Sequence, residues 1–598
     1  MSEQEDVGHQ QHSVAELSTP FAELAAQSRR IITDWLARNG YPLPPGAIAD
    51  PLDITTTFLE LTARMVASPN KMAEAQVSLW HDYLDLWQNT TARMLGLPPE
   101  PVDSEKSSDG RFVDPAWEES NIFNFVKQSY LLTSRWLMQT VHGVSGLSPV
   151  AHQKAELYTR QFVNALSPTN FALSNPEVIR ATIETGGENL IRGLTNLLND
   201  LDWGAAALGL SHRSEAFEVG KSLAATRGKV IYRNEMMELI QYEPSTNKVA
   251  KRPILFVPAW INKYYLFDLR DDTSWVRWAV GQGYTVFMIS WVDPDKALAA
   301  KSCDDYVLLG PVAALDAIEQ ATGEREVNAI GYCIGGTLLA TATAYLTKIG
   351  DQRIKSVTLL ATLLDFSQPG ELGLSIDEAM IAYMEEKASE RGYADDQEMS
   401  ILFNSMREHD LIWSFVVNTY LLGKDRFPFD FLYWNWDSTR MPSAMHSYYL
   451  RNFYQANKLA EAGGITIAGV PIDLTGITIP AYVLSMREDH ISPWKSTYAG
   501  VRLLRGPTRF TLSSSGHVTG IIAPPQTNRY RSWVNAKSPV NPDEWLAGAT
   551  TQQGSWWTHW HEWCQTVSPS DTVPARTPGS GSLKPICDAP GTYVITKT

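Results

Sequence analysis

From residue 215 onward the chain alternates short apolar runs with longer segments of mixed polarity, and no other property limits its fold so tightly. The runs are "PILFVPAW", "YTVFMISW", "EVNAIGYC", "SVTLLATLLD", "AYVLSM" and "RFTLSSSG". Each is about as long as a strand. Several are nearly continuous in apolar residues, which is how strands covered on both faces read. The gaps between most of them can hold helices, so the pattern predicts a parallel sheet with helices packed on its faces. Between "SVTLLATLLD" and "AYVLSM" lie more than a hundred residues, far beyond a usual connection. Much of that interval, such as "SIDEAMIAYMEEKASERG", has a helical pattern, so residues 366–455 are expected to form a cap over the active site.

Residues 1–214 have a different texture and read mostly as helix. "PFAELAAQSRRIITDWLARNG" and "NIFNFVKQSYLLTSRWLMQTVHG" repeat apolar positions near the helical period, and "LPPEPVDSEKSSDGRF" reads as a loop. The expected organisation is a helical N-terminal domain over 1–214 and an α/β domain over 215–598. The Pro- and Gly-rich tail from about 571 is expected to be loose, with "GTYVITKT" as a final strand.

A net charge of -16 argues against nucleic acid as a partner, because phosphate binding relies on Lys and Arg surfaces. The four cysteines, at 303, 333, 564 and 587, form neither a disulfide framework nor a CxxC zinc pattern. "MSEQEDVGHQQHSV" lacks the basic and apolar regions of a signal peptide. No run approaches the roughly 18 apolar residues of a transmembrane segment. A soluble protein of a reducing cytoplasm is expected. "GSWWTHWHEWC" gathers four Trp with His559, His561 and Cys564, but without a second cluster it reads as a buried or interfacial aromatic segment rather than a metal site.

The chemistry concentrates at the third run. Gly331-Tyr332-Cys333-Ile334-Gly335 is G-x-C-x-G between a strand and a helix, the cysteine form of a nucleophile elbow. The turn is tight enough to require glycine at its flanks. It lifts the nucleophile to the rim of the sheet, where the Ile334 N–H and the helix dipole can meet a developing oxyanion. This α/β-hydrolase fold then calls for an acid and a later histidine, each in a loop after a strand. "AYVLSMREDHISPW" supplies Asp489 and "RFTLSSSGHVTGI" supplies His517, in the required order. Glu488 and His490 are rivals beside the acid, but His490 adjoins Asp489 and so breaks the order.

With these residues in place the chain resembles the polyhydroxyalkanoate synthases, class I in particular. The resemblance runs through "FEVGKSLAATRGKV", "INKYYLFDLR", "GYCIGGT", "YWNWDSTRMP", "SMREDHISPW" and "SSSGHVTGIIAPP". It implies polymerisation of (R)-3-hydroxyacyl-coenzyme A into polyester with release of coenzyme A. It also implies a helical cap insertion, a homodimer, and contact with the polyester chain and granule surface in the cytoplasm. No cofactor beyond the coenzyme A thioester substrate is implied, and no metal. By motif, Cys333 corresponds to the acyl-carrying nucleophile, His517 to its base and Asp489 to the third member, while Trp434 and Arg407 correspond to cap positions that shape the site. The family's "VPPxINK" stands here as "VPAWINK", with Asn262 retained. This loop is expected to give the second oxyanion N–H, assigned to Trp260, and the substitution leaves that donor open. Ser414 stands where relatives often have Asn. Arg252, Lys263 and Arg270 flank the loop, either as a solvated face or as partners for coenzyme A phosphates.

A cysteine suits a thioester substrate. Transfer from thioester to thioester costs little, so the downhill step is kept for ester formation by the next monomer's hydroxyl. Two other classes share parts of this pattern: a cysteine α/β-hydrolase of thioesterase or dienelactone type, and a non-catalytic granule-coating protein.

Overall fold

The structure is a computed structural model, and it describes residues 54–66, 69–97, 109–202, 217–394, 412–424, 430–527 and 529–596. The helix expected over 20–40, most of the loop over 97–112, and Arg407 lie outside those residues. Packing divides the chain into two units: residues 1–212 with 407–427, and residues 213–406 with 428–598.

The helical unit contains Ile54–Val66, Pro69–Met94, Asn121–His142, Pro149–Ala165, Pro176–Glu184 and Glu188–Asp202. Its helix starts are written into the sequence. Ser148 accepts from the Ala151 N–H, and Asn175 accepts from the N–H groups of Glu177 and Val178, each ahead of a proline in the first turn. The partition at 214 had placed all of 366–455 in the cap, yet 407–427 belongs with these helices. Within it, Asn189 Nδ2 donates to the Leu421 carbonyl at 2.9 Å and Asn196 Nδ2 to that of Thr419 at 3.1 Å. Gly193 lies against the Tyr420 carbonyl, where a Cβ would collide.

The second unit is built on an eleven-stranded sheet. In chain order its strands are β1 (Gly228–Arg233), β2 (Met237–Tyr242), β3 (Ile254–Val257), β4 (Val286–Trp291), β5 (Val327–Tyr332), β6 (Ile354–Leu360), β7 (Ala481–Met486), β8 (Thr508–Ser513), β9 (Arg531–Val534), β10 (Thr550–Gln553) and β11 (Cys587–Asp588). The spatial order is β10-β9-β8-β7-β6-β5-β3-β4-β2-β1-β11. From β8 across to β4 every pairing is parallel; β2, β1, β11, β9 and β10 join antiparallel at the two sides. The six strands read from apolar runs are the six parallel ones. The helical "WWTHWHEWC" segment (Trp556–Val567) buries Trp556, Trp557, Trp560 and Trp563, with Trp560 Nε1 donating to Thr358 Oγ1 on β6 at 2.9 Å. Its histidines are engaged locally, His561 with Tyr284 and His559 with Ser532.

The tail departs from expectation. Residues 572–574 pair with 248–250, and β11 pairs with β1. The N–H groups of Thr592 and Tyr593 donate to the fully buried Glu238 on β2, which also binds Arg233 at 2.5 Å. Of "GTYVITKT", residues 591–596 are described and form a turn, and the final strand among the described residues is Cys587–Asp588. A Pro- and Gly-rich stretch here has backbone partners along its length, which composition does not reveal.

Candidate active site

The elbow forms as the glycines require. Cys333 has φ +53° and ψ -128°, a conformation L-residues rarely adopt, and caps the helix Ile334–Lys348. Its N–H donates to the Leu360 carbonyl at 2.8 Å and its carbonyl accepts from Gly336 at 3.0 Å, which fixes the turn from both sides. A Cβ on Gly331 would come within 2.5 Å of the Gly336 Cα, and one on Gly335 would run into the Pro258 carbonyl. The close approach of the β3 exit loop to the helix start therefore depends on Gly335.

Two loops at the carboxyl ends of β7 and β8 bring the other partners. Asp489 follows β7; its Oδ1 accepts from the N–H groups of Ile491 and Ser492 at 2.9 and 2.7 Å. Its Oδ2 meets His517 Nδ1 at 2.7 Å, and both side chains are buried. The His517 ring lies 5.4 Å from that of Tyr332, beside the nucleophile. Burial is the largest single influence on His517 and disfavours the imidazolium. The charges of Asp489 and Cys333, with the hydrogen bond to Asp489, outweigh it and carry the ring up to about 10. Asp489 and His517 thus form one hydrogen-bonded pair, and the charge of Cys333 bears on its imidazole.

The remaining candidates divide. Ile334 opens the helix and lines the pocket over Cys333. Trp260 is buried, its ring packed on Tyr306 and Tyr449. Asn262 bridges to Ser438. Trp434 is buried and donates through Nε1 to the Lys263 carbonyl at 2.7 Å, so it holds the β3 exit loop and is absent from the pocket lining. The same loop takes the Thr439 N–H at the Ile261 carbonyl (2.9 Å), and Tyr265 donates to Asp437 at 2.8 Å. Residues 258–265 and 434–439 are therefore one bonded piece.

Of the basic residues near the loop, Arg252 and Lys263 are buried and Arg270 is exposed, and each has a partner. Arg252 binds Glu326 at 2.6 Å, Arg270 binds the buried Asp430 at 2.7 Å, and Lys263 is buried with Nζ 3.5 Å from the Tyr593 carbonyl. Glu488 is exposed and outside the Asp489–His517 pair.

Sequence reading missed two tyrosines. Tyr449 is buried and Tyr454 half-buried, both from the helical stretch Ser443–Gln455, and the charge of Cys333 bears on both phenols; Asp489 bears on Tyr454 as well. "SYYLRNFYQ" carried the signal, but an aromatic run on a helix reads first as core. With Met441, Leu450, Ile334 and Ser492 they line an apolar pocket on Cys333 with a volume of about 30 Å³.

A strand–elbow–helix nucleophile served by a histidine and an acid from two later strand ends defines an enzyme of the α/β-hydrolase class. The α/β hydrolase fold family matches residues 252–524, and the family described as Poly-beta-hydroxybutyrate polymerase (PhaC) N-terminus matches residues 108–279. The poly(3-hydroxyalkanoate) polymerase of Methylorubrum extorquens is 43% identical over 91% of this chain and 90% of its own length. The polymerase subunit PhaC of Rhizobium meliloti is 41% identical over 97% of this chain and 94% of its own, and that of Cupriavidus necator 37% identical over 90% and 91%. The chain belongs to the poly(3-hydroxyalkanoate) polymerase family, acyltransferases on the α/β-hydrolase fold.

Proposed function

We propose that the protein polymerises (R)-3-hydroxyacyl-coenzyme A into polyester through a thioester on Cys333. The observation that carries this reading is the buried, hydrogen-bonded Asp489–His517 pair whose imidazole feels the charge of a cysteine at an elbow. An imidazole with its proton affinity raised so far is a strong acceptor for the thiol proton. The thiolate attacks the substrate carbonyl, the oxyanion forms where the helix start presents the Ile334 N–H, and coenzyme A leaves as thiol after taking a proton from His517. The 3-hydroxyl of the next monomer then attacks the acyl carbon and passes its proton to His517, and the carbon–sulfur bond breaks to give the oxoester and the free thiolate. Asp489 holds the ring by Nδ1, which aims Nε2 at the sulfur. The second oxyanion donor is assigned to the Trp260 backbone, on the loop that Gly335 allows to approach.

A pocket of about 30 Å³ holds a water or two and no acyl chain. Acylation therefore requires Tyr449, Leu450 and Tyr454 to withdraw, while their apolar faces keep water off the thioester at rest. Neither transfer changes an oxidation state, so the proposed reaction calls for no redox cofactor. The polyester granule is the proposed working surface in the cytoplasm, supported by an exposed apolar stripe on the helix Pro69–Met94: Trp80 is 70% and Trp87 65% exposed, with Val77 and Leu84 between and beside them. A homodimer is the proposed active form.

The test is purified protein with (R)-3-hydroxybutyryl-coenzyme A, following thiol release and insoluble polymer together. Matched release and polymer are expected, both lost in Cys333→Ala. Thiol release with free hydroxy acid and no polymer would assign a thioesterase instead.

A further inference from the structure

Away from this chemistry, the turn joining Asn121–His142 to Pro149–Ala165 gathers two imidazoles and a carboxylate. His142 ends the first helix; His152 and Glu156 lie four residues apart on the second and so share a face. His142 Nδ1 is 2.6 Å from Glu156 Oε1, His152 Nε2 is 3.7 Å from that oxygen, and the two rings lie 5.7 Å apart. The three donor atoms all fall within 4.8 Å of one another, the only such group of three among the described residues.

A plain ion pair accounts for His142 and Glu156 but not for His152. Its Nε2 is shut off from solvent and makes no hydrogen bond, because 3.7 Å is too long for one. A buried ring nitrogen without a partner is costly, and this one faces the carboxylate that His142 also faces. A cation among the three would satisfy it. Two imidazole nitrogens and one carboxylate oxygen form the donor set of a late first-row divalent metal, with zinc the expected species, and leave a fourth position for water. The His142 ring is 78% exposed and free to swing into a tetrahedral arrangement. The end of the first helix adds negative partial charge, although Lys71 Nζ, 3.4 Å from the Gly143 carbonyl, takes up part of it.

We infer that His142, His152 and Glu156 form a site for a divalent metal ion of the zinc class, which clasps the helical hairpin 121–165 across its turn. The ion joins residues from both helices, so binding would rigidify 143–148 without touching the chemistry at Cys333.

The test uses the full chain, stripped with chelator and titrated with Co²⁺ and then Zn²⁺. One equivalent of Co²⁺ should give visible d–d absorption bands that Zn²⁺ abolishes, with a higher thermal midpoint in the zinc form. His142→Ala, an exposed position that leaves folding intact, should weaken this binding by about 100-fold or more, since even groups that only support a ligand are worth 10–100-fold. Glu156→Gln should weaken it similarly, and thiol release from substrate should be unchanged in both. Absence of the Co²⁺ bands, or equal affinity in wild type and both variants, would overturn the site.

Discussion

The two units differ in how much apolar side chain they leave in water. In the sheet unit, charged side chains go inside with their partners: Asp489 on His517 and the N–H groups of its own loop, Glu238 on Arg233 and two N–H groups of the tail. Its large exposed apolar side chains, among the described residues, are only Ile349, Val540, Ile586 and Ile595. In the helical unit the traffic runs outward. Trp80, Leu84, Trp87, Met94, Leu95, Ile122, Phe162, Leu173 and Ile183 are all exposed. An isolated soluble domain rarely leaves so much apolar surface in water. On the proposed function, the contrast assigns the chemistry and the contact with polymer to separate parts, each of which should be breakable without the other.

The largest effect should come from the sulfur itself. Cys333→Ala is expected to lower thiol release from substrate by about 10⁴-fold or more, with circular dichroism unchanged. Next, Asp489→Asn should cost about 10²–10⁴-fold. It should also release His517 to the influence of burial, so that its ring resonances titrate far below the wild-type value of about 10. The sign for stability follows. The wild-type contribution of this proton is complete below the ordinary histidine value and is lost as pH rises through about 10, whereas the variant should lack that alkaline loss. A titration unchanged by the variant would detach the acid from the site.

Smaller effects sharpen the division. Glu238→Gln removes charge from a buried group that holds Arg233 and two tail N–H groups, and about 2 kcal/mol of unfolding free energy should go, read from a urea melt. Trp434→Phe keeps the ring but loses the donor to the Lys263 carbonyl. About 1 kcal/mol at that loop should appear as a several-fold fall in kcat/KM with little change in melting. Least of all should Trp80→Ser with Trp87→Ser alter stability, by about 0.5 kcal/mol or less, since neither ring is packed. That pair should still turn over soluble substrate while sedimenting less with polyester particles. Lost turnover would put the helical surface inside the chemistry and end the division.

How far the sequence could be read follows from what each signal encodes. The parallel strands were legible because burial on both faces leaves continuous apolar runs, and Cys333, Asp489 and His517 because each follows such a run. Strands β1 and β2 were not. "MELIQY" is wholly buried yet carries Glu238 and Gln241, whose partners come from the tail more than 300 residues later. The same holds for 407–427, whose helical pattern could not say which helices it joins, and for Tyr449 and Tyr454, whose closeness to the sulfur is a matter of tertiary placement. Periodicity reports which face is covered, not by what.

The stapled carboxyl end has a practical consequence. Tyr593 offers its carbonyl to Lys263, and the carbonyl of Lys263 is what Trp434 grips. Trimming the chain back past residue 590, or crowding it there with a fused partner, therefore disturbs the wall of the reaction chamber as well as the sheet's edge. Tags for purification or display belong elsewhere.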